Sequence, residues 1–372
     1  MSPIPFAWIS CVGEKGGAET LMIECLRALD RTAFRPHVIQ LRSGPLEALL
    51  RGIGVEVHVL QEHRMREVHR VASAIAQIGR LVRQRGFRFL HSNGFRAHVY
   101  GGLSAALAGV PEVWTGHTYE SPSWSTRAIL AIPTDCVLAN CPRTADFYRP
   151  RVNAPVEVVW PGVNAAVLAN GTPRDQLSAK YRIPSAAKWV SMGARLQRYK
   201  GQIEFLQSLA SVRKPDMHGI IIGGSLFGQE SEYERELKGL ALKLGVAERV
   251  TFTGFVPDVD LAGLLAGSYV TMHPAHEEDF GLAVAEAQAL GVPTVAFAAV
   301  GPAAIVQDGQ TGWLVPIGDQ DQLNLALRSA LDQPVETARR GRLARIECLR
   351  RFGIESHVRQ TEAAYRRVLA NQ

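Results

Sequence analysis

The sequence of 372 residues predicts an α/β fold with two domains, each built on a parallel sheet covered by helices on both faces. Short runs rich in β-branched and aromatic residues alternate with helical segments. The alternation breaks at residues 161–164 and 170–173, and then restarts. At 47% hydrophobic residues the chain is long enough for two separate cores.

Taken in order, the elements form two series. In the first series we predict strands at residues 6–12, 37–41, 55–60, 87–91, 112–116, 136–139 and 156–160, with a helix from the turn at 13–18 to about residue 28. In the second we predict strands at 189–192, 219–222, 250–253, 269–272 and 294–297, and helices near 201–213, 230–244, 259–266, 281–290 and 319–332. This order is typical of two facing Rossmann-like domains, whose ligands bind at the carboxyl ends of the strands.

Composition excludes several other classes of protein. The N-terminus lacks a basic region followed by an apolar run, and charged residues interrupt the long apolar stretches, so we predict neither a signal peptide nor a membrane-spanning helix. We expect a cytoplasmic protein. The five cysteines are odd in number and form no Cys-x-x-Cys pair, which indicates small buried side chains and not disulfides or a metal site.

Basic charge is concentrated in one segment. Eight arginines lie between residues 62 and 98, against the acids Glu62 and Glu67. Apolar residues recur there at helical spacing, and such a helix can lie on an anionic membrane at the inner surface, here through residues 64–85. We favour the alternative that the apolar stripe packs on a sheet. Nucleic acid is not expected, because interleaved aromatic residues and recognition motifs are absent from this segment.

The segment from His273 to Glu286 places two carboxylates around a predicted helix start. Glu278 precedes the helix, and Glu286 lies almost two turns inside it. The first N–H groups of a helix lack intrahelical partners, and the macrodipole places roughly half a positive charge there, so an anion is stabilised. This arrangement suits a sugar nucleotide, whose hydroxyls need acceptors and whose pyrophosphate needs donors. Ordinary acidic residues of a helix explain the pattern equally well.

Cations and glycines follow other predicted strands. Arg195 and Lys200 come after the first strand of the second series, where they would neutralise a diphosphate, although such side chains are commonly just solvated. Gly16 and Gly17 follow the first strand of the chain and would let a ligand approach the backbone, and a plain turn is the alternative. Residues 223–225 lack the full dinucleotide fingerprint, which argues against a dinucleotide cofactor.

His117 and one acidic pair are further candidates. His117 follows a predicted strand and could act as a general base, as a hydrogen-bond partner of the substrate or as a structural histidine. Asp258 and Asp260 form the Asp-x-Asp pattern that holds a metal in some nucleotide-sugar enzymes. Because they lie between Pro257 and a helical run, we favour helix N-capping. We expect no metal and no other cofactor, since arginine and lysine supply the positive charge.

Several motifs together resemble family 4 of the retaining GT-B glycosyltransferases, with order and spacing kept over almost the whole chain. They are Gly16-Gly-Ala-Glu19, Trp160-Pro-Gly-Val-Asn164, Ala194-Arg195 with Lys200-Gly201, Phe252-Thr-Gly-Phe255, Glu278-Asp-Phe-Gly281 with Glu286, Ala289-Leu-Gly-Val-Pro293 and Asp308-Gly-Gln-Thr-Gly-Trp-Leu-Val-Pro316. The resemblance implies an acceptor-side domain at 1–165, a nucleotide-sugar domain at 166–352 with the active site in the cleft, and a helix at 353–372 that crosses back to the first domain.

The resemblance also implies roles for single residues. Arg195 and Lys200 would bind the donor pyrophosphate, and Glu278 would hold the hydroxyls of the transferred sugar. Glu286 would bind the ribose, and His117 would reach the sugar from the N-terminal domain. The other donor-binding positions implied are Gly16, Gly17, Gly224, Phe255, Val256, Phe280, Gly281 and Leu282.

The expected reaction is transfer of a sugar, with retention of configuration, from a nucleotide-diphosphate donor to a hydroxyl acceptor that the sequence does not identify. Cations on the departing diphosphate lower the barrier. We favour UDP over GDP. Asp279 and Ala304 stand where the family usually has Gly and Glu, which leaves the donor sugar open. A sugar-nucleotide epimerase, a phosphorylase and a non-catalytic nucleotide-binding protein are the alternatives.

Overall fold

The computed structural model describes residues 2–14, 16–61, 63–117, 123–224 and 231–371, so Glu62 and Ser225 of the segments above lie outside the described residues. The chain divides into two compact units. Unit 1 comprises Met1–Gly162 with Ile354–Gln372, and unit 2 comprises Val163–Gly353. Each unit contains one sheet, and the paired strands within both sheets are parallel. The predicted α/β class is therefore confirmed.

Unit 1 holds a sheet with the strand order β3-β2-β1-β4-β5-β6-β7. Its strands are β1 Ile4–Ser10, β2 Phe34–Gln40, β3 Glu56–Val59, β4 Leu90–Asn93, β5 Glu112–Gly116, β6 Cys136–Ala139 and β7 Val156–Val158. The helices between them are α1 Gly17–Ala28, α2 Leu46–Gly52, α3 Val68–Arg85, α4 Phe95–Ala108, α5 Trp124–Leu130 and α6 Pro142–Tyr148. Buried side chains pack on both faces of this sheet, as an all-parallel sheet requires.

Unit 2 repeats the design with the strand order β10-β9-β8-β11-β12-β13. The strands are β8 Lys188–Gly193, β9 Met217–Ile222, β10 Val250–Phe252, β11 Val270–His273, β12 Thr294–Phe297 and β13 Gly312–Val315. The helices are α7 Ala165–Leu168, α8 Arg174–Tyr181, α9 Gln202–Val212, α10 Ser231–Lys243, α11 Asp258–Ala266, α12 Leu282–Ala289, α13 Val300–Ile305, α14 Gln320–Asp332 and α15 Pro334–Phe352. Short 3-10 turns lie at Arg198–Lys200 and Ala247–Arg249.

The last helix, α16 (Ile354–Ala370), belongs to unit 1 although it follows the whole of unit 2. Val358, Tyr365 and Val368 join the buried cluster that contains Phe6 and Phe34. The Tyr365 hydroxyl lies 2.6 Å from His91 Nδ1 in the same unit. Burial of this apolar face fixes the end of the chain to the first sheet.

The basic segment forms α3, and its apolar stripe lies in the core of unit 1. Val71, Ala74, Ile78 and Val82 are at most 8% exposed. The packing interpretation of this stripe is confirmed. Within the described residues, no helix has both the length and the apolar character needed to cross a bilayer. The five cysteines are buried thiols without disulfides, as predicted.

Candidate active site

Loops at the carboxyl edge of the second sheet come together because β9, β8 and β11 are neighbours. The loop after β8 donates from the Leu196 N–H to the Gly224 carbonyl after β9, over 3.2 Å. The same loop accepts at the Tyr199 carbonyl from the His276 N–H after β11, over 2.8 Å. These backbone bonds hold three strand ends in one arrangement, at the edge where such sheets bind ligands.

Gly201 sets the distance between two of these loops. Its φ is +85°, in the left-handed region, and a Cβ at this position would collide with the Pro274 carbonyl. Only glycine permits this backbone contact without a shift of one loop. The contact joins the end of the β8 loop to the segment that leads into Glu278.

We expect Gly201→Ala to lower the free energy of unfolding by more than the about 1–2 kcal/mol that a left-handed backbone costs a residue with a side chain. The matched control is Gly291→Ala, because Gly291 has φ +84° but its nearest neighbouring atom would lie 3.7 Å from the new Cβ. Urea unfolding of both variants measures the difference. Equal losses of unfolding free energy in the two variants would mean that a side chain at position 201 meets no extra steric penalty from Pro274.

Glu278, in the loop after β11, is engaged by two side chains. Its Oε2 accepts from Lys200 Nζ at 2.7 Å and from His273 Nε2 at 3.0 Å. The Glu278 and Lys200 side chains are 15% and 13% exposed. Burial acts to raise the pKa of Glu278, but hydrogen bonding and charge from His273 and Lys200 outweigh it and lower the pKa to about 2. Glu278 is therefore a carboxylate throughout the neutral range.

His273 is a member of this cluster that sequence reasoning missed. It is the last residue of β11 and is 3% exposed. The motif that starts with this histidine was recognised, but a histidine at a strand end gave no reason to pair it with a carboxylate five residues later. We name Lys200, His273 and Glu278 together the carboxylate cluster.

Helix α12 begins directly after the carboxylate cluster. Gly281 is its N-cap with φ +88°, and Leu282 is its first residue. The Gly301 N–H donates to the Glu278 carbonyl over 2.9 Å, which holds the loop in front of the helix. Glu286 lies in the helix and is partly buried. The N–H groups of the first turn of α12 therefore lie beside Glu278. Such groups at a helix start stabilise an anion.

The Phe280 ring lies in the core and not at the surface of these loops. The ring is 5% exposed and lies 5.6 Å from the Phe352 ring, centroid to centroid. Its side chain is therefore part of the core of unit 2. This burial fixes the turn that presents the Gly281 and Leu282 amides.

The remaining predicted donor residues of unit 2 lie at the ends of β8, β9 and β10. A Cβ on Gly224 would lie 2.9 Å from the Phe255 ring, and that ring is 59% exposed. Val256 packs against buried side chains of the same unit. Arg195 is exposed, and its carbonyl accepts from Gln202 Nε2 over 2.8 Å. The geometry offers an exposed aromatic ring and an exposed cation at one sheet edge.

Gly16 and Gly17 begin α1 in unit 1. Gly16 is the N-cap, and its N–H donates to Glu19 Oε2 over 3.1 Å. A Cβ on Gly17 would meet no atom within 4 Å, and its φ is not positive. The fold itself therefore does not require glycine at position 17.

His117 lies after β5 in unit 1, with its Nε2 2.6 Å from Asn93 Oδ1. Its carbonyl accepts from Asn140 Nδ2 over 3.0 Å. Burial, followed by the proximity of His357, lowers the pKa of His117 to about 4. The imidazole is neutral near pH 7, and a base with so low a pKa accepts a proton poorly. His117 is thus a neutral, hydrogen-bonded histidine in this structure.

The capping interpretation of Asp258 and Asp260 is wrong. Pro257 is the N-cap of α11, so both residues lie in the first helical turn. Asp260 is 3% exposed and accepts from Thr172 Oγ1 at 2.6 Å, Lys180 Nζ at 2.5 Å and Tyr181 OH at 2.6 Å. Its role is to join α8 to α11, which a local sequence window cannot reveal.

Comparison with protein families gives two matches that together cover most of the chain. Residues 15–167 match the family described as Glycosyltransferase Family 4, and residues 173–345 match Glycosyl transferases group 1. Together with the two parallel sheets and the order of the motifs, these matches show that the chain belongs to family 4 of the GT-B glycosyltransferases.

Similar proteins agree with this assignment. A D-inositol 3-phosphate glycosyltransferase of Corynebacterium diphtheriae is 28% identical over 95% of this chain and 90% of its own. The protein of the same name from Stackebrandtia nassauensis is 31% identical over 69% of this chain, which spans only 62% of that relative. The crystal structure of Anabaena HepE with UDP and glucose has a TM-score of 0.83 at 23% identity, over 97% of this chain and 99% of that one. The last comparison shows the shared fold.

Proposed function

We propose that the protein transfers a sugar from a nucleoside-diphosphate donor to a hydroxyl acceptor, and that unit 2 binds the donor. The observation that carries this proposal is the carboxylate cluster beside the start of α12. A lysine, a histidine and a carboxylate converge there on a ligand-binding sheet edge, and the family resemblance assigns the lysine and the carboxylate to the donor.

The charges of the cluster suit a bound pyrophosphate. Lys200 pairs with Glu278 at 2.7 Å. A diphosphate would compete for the Lys200 ammonium, and Glu278 would retain His273 and gain sugar hydroxyls as donors. As the bond to the leaving group breaks, negative charge grows on the phosphate, so a cation held in place stabilises the transition state. Arg195 would supply a second cation from the same loop.

We further propose UDP as the nucleotide and retention of configuration at the transferred sugar. UDP is supported by the Anabaena structure, whose ligand is UDP. Retention without a covalent intermediate is supported by two features of the side chains. Glu278 would be engaged by His273 and the sugar hydroxyls, and His117 has too low a pKa to serve as an efficient base near pH 7. Departure and attack on one face of the sugar need neither group.

A panel of UDP and GDP sugars tests the proposal, with release of nucleoside diphosphate and thermal stabilisation as the readouts. We expect UDP sugars to raise Tm and to release UDP faster when an acceptor is present. Interconversion of the sugar nucleotide without release would indicate an epimerase. Binding without either reaction would indicate a non-catalytic protein.

Activity should persist in excess EDTA, because the proposed charge stabilisation comes from Arg195 and Lys200. Asp260 of the Asp-x-Asp pair already accepts three hydrogen bonds from protein side chains, so its carboxylate is engaged in the fold and not in metal binding. Initial rates with and without EDTA, at equal ionic strength, measure this. Loss of transfer that manganese restores would contradict the metal-independent mechanism.

For the acceptor we propose a molecule with a phosphate or a similar anion. A cavity of about 740 Å³ in unit 1 lies at the carboxyl ends of β2 and β3 and is lined by Arg42, Arg64 and Arg96. The similar proteins are named for D-inositol 3-phosphate, which carries such a group. Transfer to D-inositol 3-phosphate and not to inositol would support this proposal. Equal rates on both would mean that the arginines do not recognise the acceptor.

Contact of residues 64–85 with an anionic membrane would be electrostatic. The apolar stripe of α3 is buried in unit 1, and the exposed surface of the segment carries the arginines together with Val68, which is 70% exposed. Such binding to anionic vesicles would fall steeply with salt.

A further inference from the structure

Strands β2 and β3 carry two histidines and a glutamate on one face of the first sheet. His37 pairs in parallel register with Glu56, and His58 follows Glu56 by two residues. Directly paired residues, and residues two apart on a strand, point to the same side of a sheet. The three side chains therefore converge without any contribution from a loop. None of them belongs to the carboxylate cluster.

The polar atoms of the three side chains lie close to the spacing of metal ligands, with one Glu56 oxygen facing each histidine. One atom from each residue can be chosen so that all lie within 4.8 Å of one another. His37 Nδ1 lies 3.3 Å from His58 Nε2 and 3.4 Å from Glu56 Oε2. His58 Nε2 lies 3.6 Å from Glu56 Oε1. Zinc binds nitrogen and carboxylate ligands at about 2.0–2.2 Å, so neighbouring ligand atoms of a tetrahedral site lie ~3.3–3.5 Å apart.

We infer that His37, Glu56 and His58 form a binding site for a divalent transition metal, with zinc as the best-suited ion. Two imidazoles and one carboxylate are a ligand set that zinc uses with a fourth position left for water. The nitrogen-rich set disfavours magnesium and calcium, which prefer oxygen ligands. The ion would tie the edge strand β3 to β2, so its effect would be on stability and not on sugar transfer.

The three side chains differ in how far they are buried, with His37 innermost and Glu56 outermost. The His37 side chain is 4% exposed and packs 4.8 Å from the Phe87 ring, centroid to centroid. His58 is 13% exposed and Glu56 is 39% exposed. The outer carboxylate leaves a route for an ion to enter, and the inner histidine is held by its neighbours.

Arg85 competes with a metal ion for Glu56. Its Nη1 lies 3.0 Å from Glu56 Oε1, and its side chain is 46% exposed. An ion of charge +2 would repel the guanidinium, which can turn into solvent. This competition distinguishes a metal site from a simple network of hydrogen bonds and ion pairs. At a metal site, removal of Arg85 raises the affinity for zinc. In a network without a metal, it only removes an ion pair of Glu56.

Calorimetric titration of the full-length, tag-free protein with zinc tests the inference, with cobalt(II) absorption as a second readout. We expect one strong site, a rise in Tm with zinc, and the intense visible bands of four-coordinate cobalt. Glu56→Gln and His58→Gln, both at the outer strand, should weaken binding by at least the about 10- to 100-fold that loss of an outer-shell partner causes. His218→Gln is the control, because His218 bonds to the Thr251 hydroxyl.

Arg85→Gln should bind zinc more tightly than the parent, since it removes a competing cation. Its control is Arg83→Gln on the same helix, whose parent side chain donates to the Leu107 carbonyl. Zinc affinity that is unchanged in Glu56→Gln, His58→Gln and Arg85→Gln alike would overturn the assignment. The absence of a strong site in the parent would overturn it as well.

Discussion

Replacement of Arg195 or Lys200 by alanine is expected to lower the turnover number by at least about 100-fold. Removing one preorganised group that stabilises developing charge costs roughly this much in other enzymes. Both cations lie in the loop after β8, and Lys200 already holds a carboxylate at 2.7 Å. Steady-state release of UDP, with saturating acceptor, measures the effect.

Arg198→Ala is the matched control for these two variants. Arg198 lies in the same loop, but its guanidinium is 66% exposed and bonds to Glu236 at 2.5 Å. Its loss should change turnover by no more than a few-fold. If Arg195→Ala and Lys200→Ala behave like Arg198→Ala, the proposed pyrophosphate contacts do not exist.

The two variants should differ in stability. Arg195 is exposed, so its removal should change the free energy of unfolding by less than about 0.5 kcal/mol. Lys200 is 13% exposed and paired, so it is not simply a solvated side chain. Loss of Lys200 leaves Glu278 with one donor fewer, which should lower the free energy of unfolding by about 1–3 kcal/mol.

Glu278→Gln is expected to be the second most damaging change. The amide keeps the size of the side chain but loses the negative charge that would accept from sugar hydroxyls. Hydrogen bonds to charged groups contribute about 1.5–3 kcal/mol, which corresponds to about 10- to 150-fold in kcat/KM. The control is Glu277→Gln, since Glu277 is the exposed neighbour in sequence. Equal kinetics for the two variants would remove Glu278 from the donor site.

The lowered pKa of Glu278 also makes a prediction for stability against pH. A carboxylate with a folded-state pKa of about 2 and an ordinary value of 4.5 stabilises the fold fully above pH 4.5. This contribution is lost as pH falls from 4.5 toward 2. The difference in the free energy of unfolding between the parent and Glu278→Gln should therefore be constant near neutral pH and shrink in acid. A difference that grows in acid would contradict the assigned shift.

Much of the fold could be predicted because each parallel strand is a short apolar run with clear boundaries. Residues 112–116, 136–139 and 294–297 were predicted as strands with the observed bounds. Strand β13 was not predicted. It has only four residues, lies between Asp308-Gly309 and Pro316, and pairs with β12 alone, so local sequence favoured a turn.

At the candidate site, single residues could be predicted from the sequence but their contacts with one another could not. Lys200 and Glu278 were predicted as separate functional residues from the motifs around them. Their ion pair spans 78 positions in sequence, and the close contact of Gly201, the neighbour of Lys200, with Pro274 becomes visible only in three dimensions. Asp260 illustrates the same limit, because its three donors come from residues 172–181. Contacts between distant segments have no local pattern.

The anomeric configuration of the product tests the central proposal most directly. Proton NMR of the glycoside formed from an α-linked UDP sugar gives the coupling constant of the anomeric proton in one experiment. Retention, seen as an α-linked product, is the predicted result, because inversion needs a base and the low pKa of His117, about 4, makes it a poor one near pH 7. A β-linked product would contradict attack on the face of departure, and His117 would then be the first residue to replace.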